Sequence, residues 1–370
     1  MKYKKIALAG PNITEKEQEY VIDAVRNGWY ETYDMHIKKL EKTFAEYVGT
    51  KYAIATFSGT HALHLAAIAL DLKQGDEVIV VDQSFIATAH AITYTGAESV
   101  FVDIEPKNLC IDVNKIEEAI TPRTKAIMLV HFSGFAADMD RIIQIAKKHN
   151  LYVMEDAAQA VGTKYKGRHV GSIGDVGAFS FQGAKIVVGG EGGMFVTNNK
   201  ELYDKAHHYG TFCRNDKIAM LWSDDIGYNY RISNITAALI LAQIERVDEI
   251  IENKKRIFSK YYECLKDSRY LNMLLPLEFC DTNYCYVTAF LKDEVEYDRD
   301  KLLKQLESYN IHSRPGYPCM SLMPHYSQKF EVPVSYKYYK RGIILPTAAN
   351  LTEEDIIFTC DKINEILGAK

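Results

Sequence analysis

The sequence predicts an α/β protein: a large domain with a mostly parallel sheet covered by helices, and a smaller α+β domain at the C-terminus. Three observations predict it. Short apolar runs rich in β-branched residues, VIVV (78–81), SVFVD (99–103), AIMLV (126–130) and LYVM (151–154), alternate with segments of helical periodicity. The texture changes beyond about residue 265, where the regular alternation stops. The length, 370 residues, is more than one hydrophobic core usually serves. The boundary is drawn between residues 245 and 246.

Residues 13–27 read as an amphipathic helix closed by Gly28, and Ile37 to Tyr47 as a second one stopped by Gly49. YAIAT then gives a short strand, Ser58-Gly59-Thr60 a turn, and residues 60–70 an Ala/Leu-rich helix buried on most sides. Helical segments at 86–95, 112–120 and 138–148 separate the following strands. GAFSF precedes a lysine and a glycine-rich turn that leads into a further strand-like run. Residues 233–262 carry no proline or glycine and read as one long connecting helix. In the small domain CYVTAFL (285–291) and 341–345 read as strands and 298–308 as a helix. The last helix opens at Thr352 with a T-E-E-D capping box.

Composition narrows the function class. The hydrophobic and charged fractions, 47% and 25%, are those of a globular chain, and the net charge of −5 points away from nucleic acid and anionic membranes. No apolar run approaches the ~20 residues of a membrane span, and the N-terminus lacks the apolar stretch of a signal peptide. Seven scattered cysteines without CxxC spacing argue against a metal site or disulfide framework and for a reducing cytoplasm.

Ligands of parallel sheets bind at the carboxyl ends of strands, so the residues there are the candidates. Ser58, Gly59 and Thr60 open a helix, where free N–H groups and the dipole favour a phosphate, although a plain N-cap uses the same residues. Phe85 follows VIVV and is placed either to stack on a planar ring or to join the core. Glu155-Asp156-Ala157-Ala158-Gln159 follows LYVM: a carboxylate there can hold a pyridine nitrogen protonated, or cap a helix. Lys185, between Gly183-Ala184 and Ile186-Val187-Val188, sits in apolar company that favours the neutral, nucleophilic amine. Its chemistry suits a Schiff base with pyridoxal phosphate; a snorkelling lysine beside a tight turn would look the same.

SGT (58–60), EDAAQA (155–160), FSF-x3-K (179–185), GEGGM (190–194) and GYNYR-x-S-N (227–234) occur in this order and at this separation. Together they resemble the nucleotide-sugar aminotransferases of the DegT/StrS type, with the fold-type I architecture of aspartate aminotransferase, over nearly the whole chain. The phrasing is nearest the GDP-perosamine synthase type. The resemblance implies that Lys185 bonds the cofactor and moves the proton, that Asp156 pairs with the ring nitrogen and that Gln159 bonds the ring hydroxyl. It implies that Phe85 and Ala158 cover the two ring faces and that Gly59, Thr60 and Ser180 hold the phosphate. Asn229 would reach the phosphate in the partner subunit of a homodimer. Arg231, Arg314 and Tyr317 are candidates for substrate. Glutamate would donate the amine, leaving pyridoxamine phosphate, which passes it to a nucleotide-linked 4-keto-6-deoxy sugar.

Two stretches depart from the family pattern. Met320, in RPGYPCMSLMPHY (314–326), stands where a histidine facing the sugar is expected, and HFSGFAADMD (131–140) lacks the usual glycine-containing phrase. They leave amination at C3, or of a smaller phosphorylated ketone, as alternatives. Lys185 argues against the dehydratases of the family, which carry histidine there. Retention of Lys185, Asp156, Gln159 and Asn229 argues against a non-catalytic homologue. No Gly-x-Gly-x-x-Gly turn follows an early strand, as a nicotinamide dehydrogenase would need.

Overall fold

The computed structural model describes residues 3–368. In chain order its first part contains α1 (Glu15–Asn27), α2 (Met35–Val48), β1 (Tyr52–Thr56), α3 (Gly59–Ala69), β2 (Glu77–Val81), α4 (Ala87–Thr93), β3 (Glu98–Val102), β4 (Thr124–Val130), α5 (Met139–His149) and β5 (Tyr152–Asp156). A small hairpin, β6 (Lys164–Tyr165) and β7 (Arg168–His169), precedes β8 (Val176–Ser180), β9 (Gly193–Thr197), α6 (Lys200–Gly210), α7 (Asn234–Ile244) and α8 (Val247–Leu265). The remainder is β10 (Leu271–Met273), β11 (Cys280–Asp281), β12 (Val287–Leu291), α9 (Arg299–Ser308), β13 (Arg314–Pro315), α10 (Pro333–Arg341), β14 (Gly342–Leu345) and α11 (Glu353–Gly368).

Seven strands form one sheet in the order β1-β9-β8-β5-β4-β2-β3. The pairs from β8 to β3 are parallel, and β9 runs antiparallel to both β8 and β1. Side chains alternate across it. Val78 and Val80 of β2 join a core with Leu63 and Leu65 of α3, Ile92 of α4 and Ala206 of α6. Ile79 and Val81 join the opposite core with Leu40 and Phe44 of α2, Ile142 of α5 and Leu241 of α7. Burial on both faces is why these strands read as continuous apolar runs. The C-terminal part builds an antiparallel sheet, β10-β12-β14-β13, covered by α8, α9 and α11. Residues 6–8 belong with this second sheet: Ile6 bonds Asn310 and His312, and Leu8 accepts from Thr347.

Two expected helices differ. Residues 112–120 form two 3-10 turns, Val113–Lys115 and Glu117–Ala119. Asp112 turns its carboxylate onto the amide of Asn114 (2.9 Å), and Pro122 blocks propagation. The long helix over 233–262 breaks between α7 and α8, where Arg246 leaves helical geometry (φ −132°, ψ 23°). Its guanidinium bonds Glu17 (3.1 Å) and Asn12 (2.6 Å) on the N-terminal segment.

The end of β5 is locked by Glu155. Its buried carboxylate accepts from the amides of Gly171 (2.7 Å), Ile173 (2.6 Å) and Gly174 (2.6 Å), and from His131 Nε2 (2.9 Å). Because Ala137 N donates to His131 Nδ1 (3.2 Å), the proton is on Nε2 and faces the carboxylate. Glu155 therefore ties β5 to the loop before β8 and to the turn after β4. Glu155→Ala leaves these donors buried without an acceptor; urea unfolding should register a loss of about 3–5 kcal/mol. A loss under about 1 kcal/mol would mean that water replaces the carboxylate.

Candidate active site

At the carboxyl ends of these strands lies a cavity of about 500 Å³. Ser58 caps α3 from extended geometry (φ −155°, ψ 164°), its Oγ accepting from His61 N (3.3 Å). The amides of Gly59 and Thr60 are thus first-turn groups without an intrahelical acceptor, and both residues line the cavity beside Ser180. Close approach explains the glycines. A Cβ on Gly59 would stand 2.8 Å from Ser180 Cβ, and one on Gly193 would stand 2.3 Å from Ser58 O. The end of β8, the start of β9 and the first turn of α3 meet here without side chains between them.

Asp156, the last residue of β5, is buried in the cavity wall. Its oxygens accept from Thr88 Oγ1 (2.7 Å) and from Ala158 N (3.1 Å). Burial pushes its carboxyl above the usual range, with these hydrogen bonds and the Lys185 charge opposing. Gln159 Oε1 accepts from Ser133 N (2.8 Å), so its amide NH2 is left without a partner among the described residues. Ser133 (φ 55°) makes this bond from the 131–137 turn, so the segment that departs from the family phrase serves to orient Gln159. Ala158 and Phe85 both line the cavity; Phe85 is 57% exposed and meets Tyr317 edge-on at 6.5 Å.

Lys185 lies between β8 and β9, its amine 5.9 Å from the Tyr286 ring centroid. The expectation of a neutral amine does not hold for this arrangement. Burial does favour the neutral form, but Tyr286, Tyr317, Cys285 and Asp156 outweigh it, and the pKa is raised. Phenol and thiol carry charge only in alkali, so at neutral pH Asp156 is the anion among them that favours the ammonium.

The second sheet supplies the facing wall: Tyr286 just before β12, Arg314 in β13, and Tyr317. Arg314 Nη2 donates to Tyr317 Oη (2.8 Å), and its guanidinium stands 4.8 and 4.9 Å from the Tyr286 and Tyr317 ring centroids. Its Nε is buried with no hydrogen-bond partner among the described residues, and the guanidinium places a cation in the wall.

Two candidate residues and Met320 do not line this chain's cavity. Arg231 pairs with Glu41 (2.7 Å) and does not line the cavity. Asn229 is exposed, bridged through its backbone to Thr211, and also stands off the cavity of its own chain. Met320 is fully buried among the core residues of α3 and α4, so the missing histidine leaves no gap in the cavity wall. Sequence reasoning did not single out Thr88 or Tyr286. Thr88 sits three residues after Phe85, and its amide bonds Phe85 O (3.1 Å) in the turn that opens α4, so both residues line the cavity. Tyr286 reads as an ordinary strand aromatic and gave no signal.

The arrangement can hold a flat group with an anionic tail at α3, a basic nitrogen at Asp156 and a carbonyl carbon at Lys185. The profile of the DegT/DnrJ/EryC1/StrS aminotransferase family matches residues 11–364. The GDP-perosamine synthase of Escherichia coli O157:H7 is 40% identical over 376 residues, covering 100% of both chains. That of Caulobacter vibrioides is 39% identical over 371 residues, 98% of each. The putative sugar aminotransferase Spr1654 from Streptococcus pneumoniae, in its PMP-form, superposes with a TM-score of 0.93 at 26% identity over 99% of this chain and 98% of that one. Its PLP-form gives 0.92. The chain belongs to the DegT/DnrJ/EryC1/StrS aminotransferase family and is a pyridoxal phosphate-dependent aminotransferase.

Proposed function

We propose that the chain moves an amino group from glutamate to the keto carbon of a nucleotide-linked 4-keto-6-deoxy sugar, with Lys185 as the reacting amine. One observation carries the site reading: Lys185, Asp156 and the first turn of α3 converge on one cavity. The full-length 40% identity to a GDP-perosamine synthase supports the choice of acceptor. Pyridoxal phosphate supplies an electrophilic carbonyl carbon and a ring that withdraws electrons from the bond being broken. Gly59, Thr60 and Ser180 hold its phosphate by amide and hydroxyl donors at the positive end of α3. Phe85 and Ala158 bound a flat slot, and the free NH2 of Gln159 reaches the ring hydroxyl.

Asp156, oriented by Thr88 and the Ala158 amide, holds a proton on the ring nitrogen. With the Asp156 charge engaged by such a ring, burial would favour the neutral Lys185 amine, the form that acts as nucleophile and base. Lys185 Nζ takes the proton from the donor carbon and returns one to the acceptor carbon. Arg314, a cation in the cavity wall, receives an anionic part of a substrate. The division of the chain at 245/246 follows the same reading, residues 1–245 carrying the cofactor groups and 246–370 the facing wall.

An exposed apolar run, with Met220 at 88% and Ile226 at 82%, supports a homodimer in which Asn229 completes the partner subunit's phosphate site. No helix among the described residues is long and apolar enough to cross a membrane, and the cytoplasm is the compartment proposed for the enzyme.

With glutamate and GDP-linked 4-keto-6-deoxymannose the protein should form an aminated GDP-sugar. Borohydride should fix the cofactor on Lys185, and Lys185→Ala should form no product; reduction at another lysine would sink the assignment. Asp156→Asn should slow turnover by about 10²–10⁴-fold at retained cofactor, read by single-turnover absorbance. An unchanged rate would make Asp156 a structural residue. Asn229→Ala should retain cofactor poorly, and mixing it with Lys185→Ala should restore part of the activity through hybrid dimers. Lack of any recovery would count against shared sites.

A further inference from the structure

Arg314 and Tyr317 are held from two sides. On one side β13 pairs with β14, Arg314 opposite Ile344, and Gly316 N bonds Gly342 O (3.0 Å). On the other, residues just past the end of β2 grip the chain that follows. Gln83 Nε2 donates to Tyr317 O (2.9 Å), Met320 N to Asp82 O (2.8 Å), and Ser321 N to Asp82 Oδ1 (2.7 Å). Asp82 and Ser321 are both buried, so that amide has no access to water as a substitute. Met320 adds an apolar peg in the core beneath. The second oxygen, Oδ2, has no hydrogen-bond partner among the described residues; burial, with the Asp103 carboxylate adding to it, pushes the Asp82 carboxyl up against the opposing Ser321 and Cys319 donors. A carboxyl kept there at a desolvation cost is directed at Ser321 N, beside the Cys319 thiol, and with the Gln83 and Asp82 backbone bonds it holds the turn bearing the substrate wall.

The same turn shapes more than the cavity. The cavity opens into a second depression of about 300 Å³, whose walls include Ile86, Pro315, Pro318 and Met323 as well as Phe85, Arg314 and Tyr317. A small amino donor fits the cavity alone, whereas a larger acceptor must also lie along the depression. Displacing residues 317–321 should therefore disturb the acceptor more than the donor.

We propose that Asp82 is a positioning residue for acceptor recognition, acting through its bond to Ser321 to set the place of Tyr317 and Arg314. The inference rests on the reading of that wall as the substrate side of an aminotransferase site. Asp82→Ala removes the acceptor for Ser321 N, whereas Asp82→Asn keeps an oxygen there, replaces the other oxygen by an amide NH2 and removes the charge.

The cofactor-loaded protein and both variants are compared by hydrogen exchange over residues 316–323 and by steady-state kinetics. The probes are GDP-linked 4-keto-6-deoxymannose and glutamate. In Asp82→Ala the amides at 320 and 321 should exchange about tenfold faster or more, and the acceptor KM should rise about tenfold. Glutamate KM, kcat and borohydride labelling of Lys185 should stay within about twofold, as changes over one residue class and not the whole site. Asp82→Asn should restore both exchange and acceptor KM. Unchanged exchange in Asp82→Ala overturns the proposal, as does faster exchange with an unmoved acceptor KM. An equal rise in both KM values, or failure of the asparagine to rescue, does the same. A wild-type protein inactive on this acceptor would defeat the proposed function, while the exchange pattern of the two variants would still decide whether Asp82 holds the turn.

Discussion

A carboxylate buried opposite an amine is the interaction on which the rest of the site depends. Taking Asp156 out of water costs several kcal/mol unless donors and a positive charge compensate. Here Thr88, the Ala158 amide and Lys185 do so, and each comes from a different element. Thr88 needs α4 to return over the end of β2, Ala158 needs the tight turn after β5, and Lys185 needs the β8–β9 connection. The parallel sheet brings these strand ends to one edge, while Glu155, one residue earlier, binds the neighbouring loops so that Asp156 cannot withdraw.

The charge balance also explains why the amine is not neutral by itself. Desolvation pulls Lys185 toward the free base and Asp156 pulls it back. The Asp156 charge thus adds to the pull toward a protonated amine at Lys185 in this cavity.

Much of this was legible in the sequence because the groups lie at strand ends, where the change from apolar run to polar residue marks both strand and site. Asp156, Gln159, Ser180 and Lys185 are of this kind, as are Ser58 to Thr60. What was not legible depends on contacts between distant segments. The break before Arg246 arises from Asn12 and Glu17, more than two hundred residues away. Arg231 has the look of a substrate group until Glu41 is seen beside it. Met320 looked like a lost active-site residue because the local pattern put it in register with the wall, but the wall is held by its backbone and its side chain turns into the core. Tyr286 reads as core in a run of strand residues; only the facing of the two sheets makes it a wall.

The cavity's two walls come from separate sheets, Asp156, Ser180 and Lys185 on the large one and Arg314 and Tyr317 on the antiparallel one. Mutational drift in residues 314–323 can therefore alter which molecule is accepted while the machinery opposite remains intact. A fold divided in this way lends itself to diversification and to engineering, since new acceptors can be sought by rewriting about ten residues of one segment. The buried anchors at Asp82 and Met320 mark where such rewriting should stop.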